Sequence, residues 1–477
     1  MTLTAAVCMI VVFVHGWSVT DTGAYGAVPI ALLRNAPSSL SLSVAHIFLG
    51  KYVSFADEVR IDDIARGMQQ ALVEEILPKL AAGERFACVT HSTGAAVVRK
   101  WIDLYHGTKL SKCPLSHLVM LAPANHGSAL AQLGKGRLSR LKSFAQGIEP
   151  GMGVLNWLEL GSDQSWELNA SWLEYDFVGN GLYPFVLTGQ RIDRHLYDNL
   201  NSYTGEPGSD GVIRVASANM NFGLFRLVQK GSALGIEKER PAAKSAMGVL
   251  PGLSHVGAEM GIMSSVKPDD NGEHPTVKWL LRCLGVGSAT GYGKMVKELE
   301  ALTAKTQEDE RIEKVRELFV FERTFETHRY CMMVFRIIDD RGFPLADYDV
   351  LLTACPSYDP NHLPQGFFVD RQRNSLNPGK LTYYIDYDVM IAGLKRPQLD
   401  NRLGFRFVGR PAIGGFAYYV PLDYRGKLTD LKRFFEANQT VMIEVVLQRH
   451  VDAGVFRTAS SLAKEQINRK PLGNDIS

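Results

Sequence analysis

The sequence predicts an α/β fold, a doubly wound, mostly parallel sheet, followed by a smaller sandwich-like β-rich domain. Three observations carry that reading. Short, near-continuous β-branched runs recur through the first part of the chain, as strands covered on both faces require. Segments at helical spacing separate them, and strand–helix–strand repetition implies right-handed crossovers. Toward the C-terminus the period shortens to strands divided by Gly and Asp turns, the pattern of a compact sandwich. A chain of 477 residues also exceeds what one core usually organises, so two domains are expected.

The elements follow in order. Val11–Val14, Ser43–Phe48, Phe86–Val89, Leu118–Leu121 and Phe185–Leu187 read as buried strands. Ile61, Ile64, Ala65, Met68, Leu72 and Ile76 fall on one helical face, and Pro78 marks its frayed end. A further helix is predicted from Ala95 to about Tyr105. Two stretches break the rhythm. One is 135–183, with Trp157, Trp166 and Trp172; the other is 221–253, with Phe222, Leu224, Phe225 and Leu227. Both read as insertions in a catalytic domain spanning 1–290, either lid-like walls or packing on the sheet edge. Residues 291–320 read as a helical linker. Val296, Leu299 and Leu302 form one apolar face, and Ile312, Val315 and Leu318 form another beyond Glu308-Asp309-Glu310-Arg311. The β-rich domain covers 321–457, with strands at Cys331–Ile338, Val350–Ala354, Leu381–Ile385, Phe405–Val408, Phe416–Val420 and Val441–Leu447. A polar tail, 458–477, closes the chain.

Composition narrows the function. Hydrophobic residues make up 46% and charged residues 21%, which excludes a wholly disordered chain. Fifty-two Lys and Arg against 50 Asp and Glu leave +2, with no basic excess, so nucleic acid, which needs a concentrated positive surface, is not expected as the main partner. Six dispersed cysteines without a CxxC pair read as free or buried thiols. No run reaches the roughly 18 to 20 apolar residues of a membrane span. Ala5–Val14 lacks the preceding basic region and following cleavage site of a secretory signal. Cytoplasmic synthesis without a signal peptide is therefore expected, with any delivery out of the cell by a signal-independent route. Asp339-Asp340 and Asp386-Tyr387-Asp388 read as solvated turns, so no metal is expected.

The chemistry concentrates in Phe86–Val98, FACVTHSTGAAVV. A strand ends near Thr90, Ser92 falls in a tight turn, and a helix begins at about Gly94. Such a turn lifts a serine hydroxyl above the sheet edge, and the helix aims its first amides at developing negative charge. The usual pattern is Gly-x-Ser-x-Gly; here Thr90 replaces the first glycine. VVFVHGW (Val11–Trp17) is an apolar strand closing on a loop that brings backbone amides to the same edge. Acyl transfer needs two such donors for its oxyanion, assigned here to the amides of Trp17 and Thr93. His15, His91 and His126 read as structural. The serine needs a base and the base an orienting acid. His255 and Asp210 fit best, with His274 the rival base and Asp176, Asp193 and Asp198 the rival acids. The order Ser92, Asp210, His255 is that of a nucleophile-elbow hydrolase.

Five stretches in this order resemble the α/β-hydrolase lipases: VVFVHGW, VTHSTGAAVVRKW, MLAPANHGSAL, SDGVIRVASA and SHVGAEMGIM. The resemblance covers residues 7 to about 285. It implies an α/β-hydrolase core whose nucleophile falls on Ser92, acid on Asp210 and base on His255. It also implies a lipase or phospholipase type of serine ester hydrolase that needs no cofactor. The alternatives are an acyltransferase on the same fold and a non-catalytic hydrolase-fold binding protein. The expected partner is a lipid or other acyl ester. The β-rich domain is expected to dock on a membrane surface or a protein, or else to shield the sheet edge.

Overall fold

The computed structural model describes residues 8–14, 25–47, 57–132, 151–193, 205–317, 321–395, 402–411, 416–427 and 436–452. Two compact units emerge. The first takes in 1–222, 241–332 and 437–440; the second takes in 223–240, 333–436 and 441–477.

The first unit is built on six parallel strands. Their order is Ser41–Ile47, Cys8–Val14, Phe86–His91, Leu115–Leu121, Tyr183–Thr188 and Ala246–Val249. The apolar runs become strands because helices cover both faces. Val11, Phe13, Val89, Leu121 and Leu187 pack into one core with Val28, Leu280 and Leu299 from flanking helices. Helix Ile61–Ala71 buries Ile61, Ile64, Ala65, Met68 and Ala71, the stripe its spacing predicts. A π-turn over Leu72–Ile76 and a 3-10 turn through Pro78 then end it. Strands on opposite sides of Cys8–Val14 follow it in the chain, so the winding reverses there. The crevice at the carboxyl ends of such strands is where open α/β sheets place their ligands.

Cys88, Cys113, Cys283, Cys331 and Cys355 are buried and unbridged. Within 135–183, residues 135–150 lie outside the described residues. The described remainder is packed: Trp157, Trp166 and Trp172 on helices Met152–Leu158 and Asp163–Trp172 are each at most 5% exposed.

Two expectations need revision. Residues 221–253 are no insertion over the hydrolase sheet. Gly223–Lys230 and Ala233–Pro241 are strands of the β-rich sheet, and Ala246–Val249 returns to close the parallel one. The Phe-rich run reads as an irregular wall only until its distant pairing partner is known. Next, the second half of the helical linker is extended. Helix Ala289–Asp309 forms, but Ile312–Glu317 pairs antiparallel with Phe321–Glu326. Apolar residues three apart over six positions do not fix a helix when an adjacent segment offers a ladder.

The expected sandwich-like β-rich unit is present, built from one mixed sheet of nine strands. Its order is Asp347–Ala354, Arg402–Arg410, Leu422–Lys427, Ala233–Pro241, Gly223–Lys230, Thr440–Leu447, Tyr330–Asp339, Lys380–Asp386 and Phe368–Arg373. Phe335 and Phe405 stand five strands apart, about 24 Å across a flat sheet. Their rings nevertheless lie 5.5 Å apart, and Tyr383 donates to Val350 O from the other end of the order. The sheet therefore curls until its two ends face each other, giving two layers from one ladder. The acidic clusters are local architecture. Asp339 Oδ1 accepts from Arg341 N and Phe343 N, and Asp386 Oδ1 accepts from Val389 N to cap helix Tyr387–Leu394.

Candidate active site

The nucleophile turn is made by a central strand. Phe86–His91 is buried throughout, and helix Gly94–His106 starts three residues later on Gly94, Ala95 and Ala96, small enough to pass close. Between them Ser92 takes φ +53°, a left-handed conformation that costs a residue with a Cβ about 1–2 kcal/mol. Hydrogen bonds hold it there. Ser92 N donates to Leu121 O at 3.0 Å, while Ala95 N and Ala124 N donate to Ser92 O at 3.3 and 3.4 Å. Thr90, His91 and Thr93 are buried, whereas Ser92 is partly exposed. Thr93 is the N-cap of the helix, where amides lack intrahelical acceptors and the dipole favours an anion. Trp17, the other predicted oxyanion donor, lies outside the described residues, as does His15.

The acid sits in a turn that fixes its carboxylate. Asp210 is fully buried, and Gly211 beside it takes φ +95°, which a side chain would resist. Asp210 Oδ1 accepts from Val212 N at 3.0 Å and Ile213 N at 2.7 Å, leaving Oδ2 for another donor. Two residues that sequence reasoning missed bracket this turn. Arg214 Nε and Nη2 donate to Glu206 Oε2 and Oε1 at 2.7 and 2.8 Å, a bidentate pair buried on both sides.

The base arrives on a loop pressed against the sheet edge. Gly189 passes Leu253 so closely that a Cβ there would lie 1.9 Å from Leu253 O, and Arg191 N donates to the same oxygen. Ser254 N donates to Met260 O and Ile262 N to Ser254 O, fixing the loop. His255 N then donates to Asp210 O at 2.9 Å. The ring completes the chain of contacts. His255 Nδ1 lies 2.9 Å from Asp210 Oδ2, and Nε2 lies 3.2 Å from Ser92 Oγ. An ionised carboxylate only accepts, so Nδ1 carries the proton and the Nε2 lone pair faces the serine.

Two of the rivals, His274 and Asp176, are occupied elsewhere. His274 Nε2 bonds Ser265 Oγ, and its Nδ1 accepts from Thr276 N to cap helix Pro275–Leu284. Asp176 closes its own turn by accepting from Gly179 N, Asp193 lies beside Gly257, and Asp198 falls outside the described residues. The His91 ring lies 4.7 Å from that of His255. His126 is buried edge-on to Phe222, and burial lowers its pKa to about 3; burial likewise lowers that of His117 to about 4. A serine facing an imidazole whose other nitrogen donates to a buried carboxylate is the arrangement that acyl transfer requires.

No family model and no curated protein matches the chain. Among solved structures, phospholipase PlaB from Legionella pneumophila is 52% identical, covering 98% of this chain and 98% of that one with a TM-score of 0.89. The structure of the same phospholipase in complex with thio-NAD is 51% identical, covering 98% of this chain and 100% of that one with a TM-score of 0.88. Identity at this level, sustained across both units, shows the family: this chain belongs to the PlaB phospholipases, lipid ester hydrolases on an α/β-hydrolase core.

Proposed function

We propose that the chain cleaves the carboxylic acyl esters of glycerophospholipids through an acyl-Ser92 intermediate. The observation that carries this reading is the hydrogen-bonded chain from Ser92 through His255 to Asp210. His255 Nε2 takes the Ser92 proton as Oγ attacks the ester carbonyl, and Asp210 stabilises the resulting imidazolium. The Thr93 amide binds the oxyanion, with Trp17 as the proposed second donor; losing one such donor typically raises the barrier by about 2.7–4 kcal/mol. Collapse expels the lysolipid alcohol, which takes the proton from His255. Water activated by the same imidazole then releases the fatty acid. Membership of a phospholipase family supports the phospholipid substrate, and each acyl methylene buried in the site adds about 0.8 kcal/mol to binding.

Product analysis on phosphatidylcholine vesicles tests the proposal, with glycerol added in a parallel sample. Free fatty acid and lysophosphatidylcholine are expected. Diacylglycerol or free phosphocholine would overturn the ester assignment. Acyl groups passed to glycerol, with no free acid in either sample, would favour a transferase.

A further inference from the structure

The loop that carries Asp210 is closed by a charged pair that the serine, histidine and aspartate do not explain. Glu206 and Arg214 stand four residues to either side of the acid. Arg214 Nε and Nη2 reach both carboxylate oxygens of Glu206, and the Arg214 and Glu206 side chains are 2% and 7% exposed. Inside this closure the chain is pinned at every step. Ser209 Oγ donates to Glu206 O at 2.7 Å and accepts from Gly211 N at 3.2 Å. Asp210 N donates to Ile213 O, and Val215 N donates to Gly208 O. Ile213 N, which holds Asp210 Oδ1 at 2.7 Å, belongs to the residue just before Arg214.

The Arg214 end is rooted on the nucleophile side of the site. Ser217 N and Ala218 N donate to Arg214 O in the single-turn helix Val215–Ala218. Ser217 Oγ donates to Gly127 O, His126 N donates to Ser217 O, and Asn125 Nδ2 donates to Ala218 O. Those partners lie on the loop after Leu115–Leu121, whose Ala124 N braces Ser92 O. The fork to Glu206 therefore ties the incoming end of the Asp210 loop to an end already fixed against the serine turn.

Stability alone does not account for such a pair. Burying two charges carries a desolvation cost that their attraction offsets only when the geometry is good, and well-packed apolar residues of similar volume often do as well or better. A bidentate contact between guanidinium and carboxylate fixes angle as well as distance, which apolar packing does not. The acid needs that precision. Its Oδ2 lies 2.9 Å from His255 Nδ1, and a misplacement of about 1 Å in a catalytic array can lower the rate about 10²-fold.

We propose that Glu206 and Arg214 are positioning residues for Asp210. Their fork closes the loop so that the carboxylate meets the His255 ring at hydrogen-bond distance. The inference rests on the catalytic reading above and assigns the pair to the orientation of its acid.

The test is kcat and KM on a soluble ester, with denaturant unfolding of each variant. Arg214→Lys keeps the charge and loses the fork; kcat is expected to fall about tenfold with KM changed less than about twofold. Glu206→Leu combined with Arg214→Met replaces both charges by apolar groups. Its unfolding midpoint is expected to stay close to that of the native protein while kcat falls by the same factor. Added to Asp210→Asn, Arg214→Lys should lower kcat by less than about twofold more, because an effect exerted through the acid vanishes with the acid. Native kcat in Arg214→Lys or in the paired apolar variant overturns the proposal. So does a further loss of about tenfold in the Asp210→Asn background, which would make the pair a structural staple. If Arg214→Lys does not fold, the paired apolar variant decides. Failure of the catalytic reading is separate and would show as native turnover in Asp210→Asn itself.

Discussion

The two units differ in the charges that they bury, although exposed ion pairs such as Arg66–Asp62 and Arg282–Glu298 occur in the hydrolase unit too. In the hydrolase unit, Arg99, Glu206, Asp210, Arg214 and His255 are each at most 6% exposed and contact residues from other turns or segments. In the β-rich unit the ion pairs lie near solvent. Arg406–Asp423 is 39% and 22% exposed, and Arg410–Asp347 is 48% and 62% exposed. Its buried carboxylates Asp339 and Asp386 are satisfied within their own turns. Exposed pairs contribute roughly 0–1 kcal/mol, whereas buried ones stand against a desolvation cost of several. Charge buried across segments therefore marks where chemistry is set up, and charge capped within a turn marks architecture.

Substitutions at matched positions sharpen or break that contrast. Ser92→Ala should lower fatty-acid release on the order of 10⁵–10⁶-fold, since the nucleophile of a triad accounts for most of its rate. Asp210→Asn should cost about 10⁴-fold by leaving His255 in the wrong tautomer. Asp423→Asn, the corresponding change in the β-rich unit, should leave turnover within about twofold; equal losses from both would erase the distinction.

Stability should divide the same way. Glu206→Gln leaves the buried Arg214 without its charge partner and should cost about 3–5 kcal/mol in denaturant unfolding. Asp347→Asn should cost less than about 1 kcal/mol. Acid should act through the hydrolase unit as well. His117 and His126 bind protons more readily when unfolded, because burial lowers both in the folded state. Their stabilising contribution is intact above the ordinary histidine value of about 6.5 and falls as the pH drops from there toward their folded values. Each removes up to about 1.4 kcal/mol per pH unit over that window. His126→Gln should flatten the decline, and an unchanged slope in both His126→Gln and His117→Gln would contradict their burial as neutral rings.

Much of the hydrolase unit is legible because its signals are local. Apolar runs covered on both faces became the parallel strands, and FACVTHSTGAAVV encodes strand, turn and helix within thirteen residues. The meeting of Asp210 and His255 with Ser92 followed from motif order rather than from spacing. What escaped depends on strand pairing, distant for Gly223–Lys230 and adjacent for Ile312–Glu317. Gly223–Pro241 and Ile312–Glu317 become strands only through partners their own periodicity does not record. The curl that brings Phe335 to Phe405 is likewise a property of the whole ladder. Arg99 interrupts the apolar face of its helix at Val97-Val98-Arg99, a visible signal whose meaning needed Asn125 and Asn169 in space.

Labelling with a fluorophosphonate, followed by peptide mapping of native and Ser92→Ala protein, tests the central claim most directly. One covalent adduct is predicted on the native peptide that contains Ser92, with none on the variant. Equal labelling of the two proteins, or an adduct on another residue, would contradict it.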